Sequence, residues 1–469
     1  MTCNPPDAQP RQSSALLKAN LWDARPSRGE KNASEGLLEI LHDQKRGLAR
    51  GLYSICSANR FVIEACMQQA DQNSSPLLIE ATCNQVNQYG GYTGMNPRQF
   101  VQYVQEIAAS RGFPSERIIL GGDHLGPGPW QTEDVREAME KARQLVYDFV
   151  QAGCTKIHLD ASMRCADDAP ERPLDPQIAA ERASELCQVA EAAAVAMKAP
   201  ERPLYIIGTE VPPPGGSQEK ENSLQVTTVE DARQTIELIQ SAFQVRGLES
   251  TWERVIGLVV QPGVEYGDEA LLEYDRSKAR PLAEFIETIP NLVYEAHSTD
   301  YQNCRALRQM VEDHFAILKV GPALTFAFRE AVFALAMMEQ EWLAHRPGVT
   351  LSRFFDVLDE VLSRDPLHYV KYYKGDKSRV AFARKYSFSD RIRYYWNNSE
   401  IERALSRLLE NLAQNPPPLT LISQFLPVQY QNIRSGKIRN HPRQLVWDRI
   451  REVAACYSQA CGTSSNALK

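Results

Sequence analysis

The sequence predicts an α/β protein folded as a TIM (β/α)8 barrel with a helical C-terminal appendage. Three observations carry this expectation. Eight apolar runs of strand length recur between residues 51 and 321, and long amphipathic segments separate most of them. Eight such units close a barrel. A doubly wound open sheet would place a glycine-rich phosphate turn after its first strand, and the corresponding stretch here, "CSANRF", has no glycine.

In chain order, residues 1–35 are polar and rich in Pro, Arg and Ser, and are expected to be a flexible extension. Ser34 stands where it can cap a first helix, "EGLLEILHDQKRG". The strand-like runs are "GLYSICS" (51–57), "PLLIEATC" (76–83), "RIILGGD" (117–123), "KIHLDAS" (156–162), "PLYIIGTE" (203–210), "RVIGLVVQ" (254–261), "NLVYEAH" (291–297) and "FAILKVG" (315–321). Their near-continuous apolar character suits a parallel sheet covered by helices. In 134–152, Val135, Ala138, Met139, Ala142, Leu145, Val146 and Phe149 fall at three- and four-residue steps, one face of a helix. "VEDARQTIELIQSAFQVRG" and "FREAVFALAMMEQEWLA" repeat the pattern. The barrel is therefore assigned to residues 36–345. Residues 346–469 are helical and aromatic and are expected to pack on it.

Composition narrows the function. Among 469 residues, 52 Lys and Arg stand against 59 Asp and Glu, a net charge of −7 that argues against a nucleic-acid or anionic-membrane surface. No apolar run approaches the ~18–20 residues needed to span a bilayer. The stretch "MTCNPPDAQPRQSS" lacks the apolar core of a secretory signal, so a cytoplasmic protein is expected. The ten cysteines are scattered with no C-x-x-C pair. That spacing predicts reduced thiols rather than a disulfide framework or a cysteine-based zinc site. No dinucleotide fingerprint is present, and no nucleotide cofactor is expected.

Nearly every predicted strand ends in a polar side chain: Ser57, Glu80, Asp123 and His124, Asp160 and Ser162, Glu210, Gln261, His297 with Ser298 and Asp300, and Lys319. Singly, each has an ordinary structural explanation, since polar residues commonly close strands. Together, one barrel would bring them to one rim, where βα-loops build active sites. Two imidazoles and several carboxylates suit a divalent cation held by nitrogen and oxygen, zinc first and manganese or cobalt as alternatives. His158, two residues before Asp160, shares its side of the strand one layer deeper and reads as a hydrogen-bonded interior histidine rather than a ligand. His42, His345, His368 and His441 are assigned no chemistry.

Several long motifs carry a resemblance: "IEATCNQVNQYGGYTGM", "RIILGGDHLGP", "KIHLDASM", "IIGTEVPPPGG", "VVQPGVE", "VYEAHSTDYQ", "AILKVGPALTFA" and "SDRIRYYW". From about residue 36 to near the C-terminus the chain resembles the family of the Z-type subunit of D-tagatose-1,6-bisphosphate aldolase, some of whose members are assigned as hexulose-phosphate 4-epimerases. The family is similar to class II aldolases, metal-dependent TIM barrels. The resemblance implies an Asp directly before a metal-binding His, matched by Asp123-His124. A second metal His would follow an "IGT" strand; here "IGTEV" puts Glu210 there, a departure. A third would be His297 in "EAHSTD". The implied metal set is His124, Glu210 and His297. Lys319 to Thr325 would lie on the phosphate-side strand. Ser57, Ser162, Ser298, Asp300, Lys319, Thr325, Arg391 and Arg393 are the expected substrate-binding residues. In "SDRIRYYW", Arg391 or Arg393 would grip a phosphate bidentately. The alternative has Ser389 capping a helix whose aromatics pack on the barrel.

Chemistry shapes the expected reaction. The C4 proton of a 2-ketose is not next to the carbonyl, so direct deprotonation gains no enolate stabilisation. Breaking and remaking the C3–C4 bond is the accessible route. Asp123 is the expected proton carrier, with Asp160 or Glu80 serving the opposite face. The expected activity is metal-dependent interconversion of D-tagatose 6-phosphate and D-fructose 6-phosphate in galactitol or tagatose catabolism. The competing reading is a non-catalytic subunit that stabilises a class II aldolase. An aldolase acting alone and a sugar-acid epimerase are further readings. The expected partners are a phosphorylated ketohexose and either a second copy or a class II aldolase subunit.

Overall fold

The computed structural model describes residues 33–169, 173–209 and 225–463. Eight strands form a closed parallel barrel: β1 (Leu52–Ile55), β2 (Leu77–Thr82), β3 (Ile118–Leu125), β4 (Lys156–Leu159), β5 (Leu204–Ile207), β6 (Val255–Val259), β7 (Val293–Ala296) and β8 (Phe315–Val320). Each strand pairs with its neighbours in sequence, and β8 closes on β1 with Ser54 opposite Lys319. All eight predicted runs are strands, and helices connect them. One element had no signal in the sequence reading: a short antiparallel hairpin pairs Glu265–Tyr266 with Leu271–Leu272 after β6.

Alternate strand residues face inward and fill the barrel in layers. The floor is apolar. Leu52, Leu78, Ile119, Leu204, Ile206, Ile256, Val293 and Ile317 pack there against Leu37, Ile40 and Leu41 of the helix Ala33–Lys45, which plugs the bottom. Above the floor the interior becomes charged. Glu80, Lys156, Glu295 and Lys319 are buried there, and the site sits on this layer. Gly121 makes the charged layer fit: a Cβ there would lie 2.8 Å from Glu80 Cγ and 2.9 Å from the Lys156 carbonyl oxygen.

The C-terminal helices pack on the outside. The last, Pro442–Ala460, lies against the helices Arg60–Asn73, Cys304–Glu312 and Pro322–Leu343. The Tyr457 hydroxyl donates to the Thr299 carbonyl at 2.8 Å, and Thr299 Oγ1 donates to the Lys319 carbonyl at 2.6 Å. The loop after β7 is thereby pinned from two sides. A disulfide joins Cys304 to Cys456, 152 residues apart. This corrects the expectation of reduced thiols throughout. The pairing is tertiary, between two helices that only the fold brings together, and no local spacing could announce it. The other described cysteines are free. No described helix is long and apolar enough to cross a membrane.

Candidate metal centre and active site

The C-terminal ends of β3, β4 and β7 bring three imidazoles together. The ring centroids of His124, His158 and His297 lie 5.1 Å (His124–His158), 4.8 Å (His124–His297) and 5.1 Å (His158–His297) apart. All three are buried. With Asp123, their nearest ligating atoms fall within 4.8 Å of one another.

Each ring is anchored to a carboxylate through one nitrogen. His124 Nδ1 is 2.8 Å from Asp160 Oδ2, His158 Nδ1 is 2.9 Å from Asp123 Oδ1, and His297 Nε2 is 3.1 Å from Glu295 Oε1. The carboxylates fix the tautomers. An ionised acid demands a proton on the facing nitrogen, which leaves the lone pair on the other one. The His124 backbone N–H also donates toward His158 Nδ1 at 3.1 Å, in competition with the Asp123 carboxylate on that nitrogen; the negative charge of Asp123 favours a proton there. His158 Nε2 is buried and has no hydrogen-bond partner. A buried nitrogen lone pair without a donor is costly unless something else binds it. That orphaned nitrogen, beside two further imidazoles that also have carboxylates behind them, fits a divalent cation.

Electrostatics agree in sign. Burial would raise the Asp123 carboxyl, but Lys319, His124, His158 and His297 outweigh it and hold Asp123 well below the usual range. Burial would likewise raise Asp160, and its bond to His124 brings it down. Burial pushes His297 down to about 4, so its ring is neutral and ready to ligate. Burial would lower His124 too, yet Asp123 and Asp160 raise it, so a cation must displace that proton.

The local backbone is built for this convergence. His124 adopts φ 51° and Ser298 φ 53°, left-handed conformations uncommon for residues with a Cβ. After His124, the chain passes so close to β4 that a Cβ on Gly126 would lie 1.6 Å from the Asp160 carbonyl oxygen. The Asp-His pair and its glycines are therefore one device that turns the His124 ring back over the barrel.

Beneath the imidazoles lies a closed ion network. Lys156 Nζ is 2.8 Å from Glu80 Oε1 and 2.6 Å from Glu295 Oε2, while Lys319 Nζ is 2.6 Å from Glu80 Oε2 and 2.9 Å from Asp123 Oδ1. Ser54 also donates to Glu80. Burial would lower Lys319, but Asp123, Cys56, Glu80 and Glu295 raise it well above the usual lysine range.

Against this geometry the sequence-derived residues divide. Asp123, His124, His297, Ser298, Asp300, Lys319 and Arg393 line one cavity over the imidazoles. Ser57 and Thr325 line an adjoining chamber that shares Cys56, Gln85, Tyr92 and Arg393 with it. Asp160 and Ser162 stand behind His124, with the Ser162 hydroxyl donating to Asp160 at 2.6 Å. Glu80 is fully buried, with both oxygens on lysines, which makes it a counter-ion rather than a group facing substrate. Arg391 lines neither cavity. It donates to the His368 carbonyl and stacks 3.2 Å from the Tyr372 ring centre, a packing role in place of the expected phosphate grip. Glu210 lies outside the described residues. His158, read from sequence as merely interior, is both hydrogen-bonded and aimed at the cluster. Glu295, Lys156 and Tyr394 had not been singled out at all. A signal existed: "HLD" and "EAH" space His and acid two apart on one strand face.

Fold and site together define a (β/α)8-barrel protein with a carboxylate-backed trio of imidazoles at the mouth of the barrel, a centre suited to a divalent cation. The model of the D-tagatose-1,6-bisphosphate aldolase subunit GatZ/KbaZ-like family matches residues 37–462. The chain belongs to that family. It is similar to a structure described as a probable tagatose 6 phosphate kinase from Sinorhizobium meliloti 1021, with 42% identity and a TM-score of 0.80 over 88% of this chain and 100% of that one. The YdjI aldolase from Escherichia coli K12 (12% identity, TM-score 0.39, 79% of this chain and 94% of that one) superposes too loosely to carry an argument. The same holds for fructose-bisphosphate aldolase from Campylobacter jejuni (12% identity, TM-score 0.40, 80% of this chain and 92% of that one).

Proposed function

We propose that the protein is a metal-dependent hexulose-phosphate 4-epimerase that interconverts D-tagatose 6-phosphate and D-fructose 6-phosphate by cleaving and remaking the C3–C4 bond. The observation that carries this reading is the trio His124, His158 and His297, each tied to a carboxylate by one nitrogen and leaving the other for a shared ligand. A divalent cation held there, zinc by the nature of the donors and manganese or cobalt by the same geometry, would polarise the ketose carbonyl and stabilise the enediolate charge.

The chain's own residues supply the rest. Asp123 is ionised and faces the cavity, as the acceptor of the O4 proton must be. Lys319 holds Asp123 in place and adds positive charge beside the developing oxyanion. After cleavage the aldehyde turns over, and its oxygen needs a proton donor on the other side. Asp160 and Glu80 are committed to His124 and to the lysines. Tyr394 lines the same cavity, with its hydroxyl 3.1 Å from Arg393 Nη2. Burial would raise its phenol, but Arg393 and Arg391 outweigh this and bring it below the usual tyrosine range, so we assign it the second proton transfer. Arg393, shared by the cavity and the adjoining chamber, supplies charge for the phosphate.

Family membership supports a role in tagatose or galactitol catabolism. A subunit that only braced a partner aldolase would have no physical use for three buried, carboxylate-backed imidazoles. The test is an assay of the isolated protein with D-tagatose 6-phosphate. Conversion that chelator abolishes and a divalent cation restores is the expected result. Activity seen only after adding a class II aldolase would favour the bracing role instead.

A further inference from the structure

In (β/α)8 enzymes the rim after the last two strands commonly seats a substrate phosphate on the backbone N–H groups that open a helix. Here that corner is filled from within. Asp300 Oδ1 accepts the backbone N–H of Gly321 at 3.0 Å and of Ala323 at 2.8 Å, at the start of the helix Pro322–Leu343. The carboxyl is buried, yet it lines the cavity beside His297, Ser298 and Lys319.

The backbone that carries the carboxyl is held on both sides. The preceding Thr299 is tied to the Lys319 carbonyl and to Tyr457, and Ser298 and Tyr301 flank the loop in left-handed backbone, φ 53° and 65°. Gly321 is crowded as well: a Cβ there would lie 2.9 Å from the Cys56 carbonyl oxygen, so the helix start is packed against β1. Burial pushes the Asp300 carboxyl up to about 6, with the Ala323 and Gly321 N–H groups and the Arg393 charge offsetting part of that push. A phosphate dianion in the same corner would face that carboxylate at close range.

We propose that Asp300 is a specificity-determining residue whose carboxylate occupies the β7–β8 corner and bars a substrate phosphate from it. The site therefore takes hexuloses with one phosphate, carried on the end that reaches toward Arg393 and the adjoining chamber, and rejects 1,6-bisphosphates. Arg60 and Arg443 border that chamber. The inference rests on the ketose-phosphate reading of the site, but its readout is binding rather than turnover.

The experiment measures dissociation constants of D-tagatose 6-phosphate and D-tagatose 1,6-bisphosphate for the metal-loaded full chain by calorimetry. The wild type is expected to prefer the monophosphate by about tenfold or more, the size of one poorly screened like-charge contact. Asp300→Asn keeps an acceptor for the two N–H groups and removes the charge, and should cut that preference to about threefold or less. Asp300→Glu should preserve it. A wild type that binds the bisphosphate as tightly as the monophosphate overturns the proposal, as does an unchanged preference in Asp300→Asn. Should Asp300→Asn fail to fold, the wild-type ratio and Asp300→Ser decide. Loss of binding of both ligands in the wild type would sink the ketose-phosphate reading itself. The predicted preference without turnover would sink only the epimerase assignment.

Discussion

His158 Nδ1 meets Asp123 Oδ1 at 2.9 Å inside the barrel, and this contact frees His158 Nε2 for the cluster. The same carboxylate faces the cavity, so in the proposed reaction Asp123 would both orient the His158 ring and carry a proton. Asp123→Asn should keep all three rings and retain metal when metal is in excess, while turnover falls by about 100-fold or more. Elemental analysis and steady-state rates on one preparation check this. A near-normal rate removes Asp123 from the chemistry.

Alanine at His124, His158 or His297 should each cost bound metal. His158→Ala is the sharpest of the three, because its ring has the orphaned nitrogen. Metal content equal to wild type in that variant would return His158 to a purely structural role.

Tyr394→Phe removes a hydroxyl beside Arg393 and leaves the ring packed against Tyr92, with centroids 4.5 Å apart. Epimerisation should fall by about 100-fold, while melting temperature and metal content hold. Unchanged epimerisation would require a different second proton carrier.

Lys156 is fully buried between Glu80 and Glu295. Lys156→Met leaves those carboxylates short of a counter-charge and should destabilise the fold by about 3–5 kcal/mol. Urea denaturation measures it. A midpoint close to wild type would mean that the network is not closed as described.

Asp390 is buried with Oδ1 unpartnered, and burial raises its carboxyl to about 7. Its folded-state value is above the ordinary one, so the folded chain binds the extra proton and stability declines as pH rises from about 4 to 7. Asp390→Asn should match wild type in thermal stability near pH 4 and exceed it near pH 8. Equal melting at both pH values would contradict this.

The barrel was legible because eight apolar runs of strand length, most of them separated by amphipathic helical segments, leave little else to build. The site was half legible. Asp123, His124 and His297 stand at strand ends, where polarity breaks an apolar run. His158 and Glu295 sit inside such runs, and Lys156 opens one. Their inward direction depends on which face of a doubly covered strand meets the barrel axis, and near-continuous apolar strands hide that choice. Arg391 and Arg393 are two apart in a short 3-10 turn, so sequence could not say which one meets the cavity. The Cys304–Cys456 pairing depends on a helix docking that no local pattern encodes.

A single cation should sit among the three imidazoles. Crystals grown with zinc and measured on both sides of its absorption edge test it directly. One anomalous peak per chain is expected, within bonding distance of His124, His158 and His297. A peak elsewhere with none at that point, or rings that keep their places with only water between them, would contradict it.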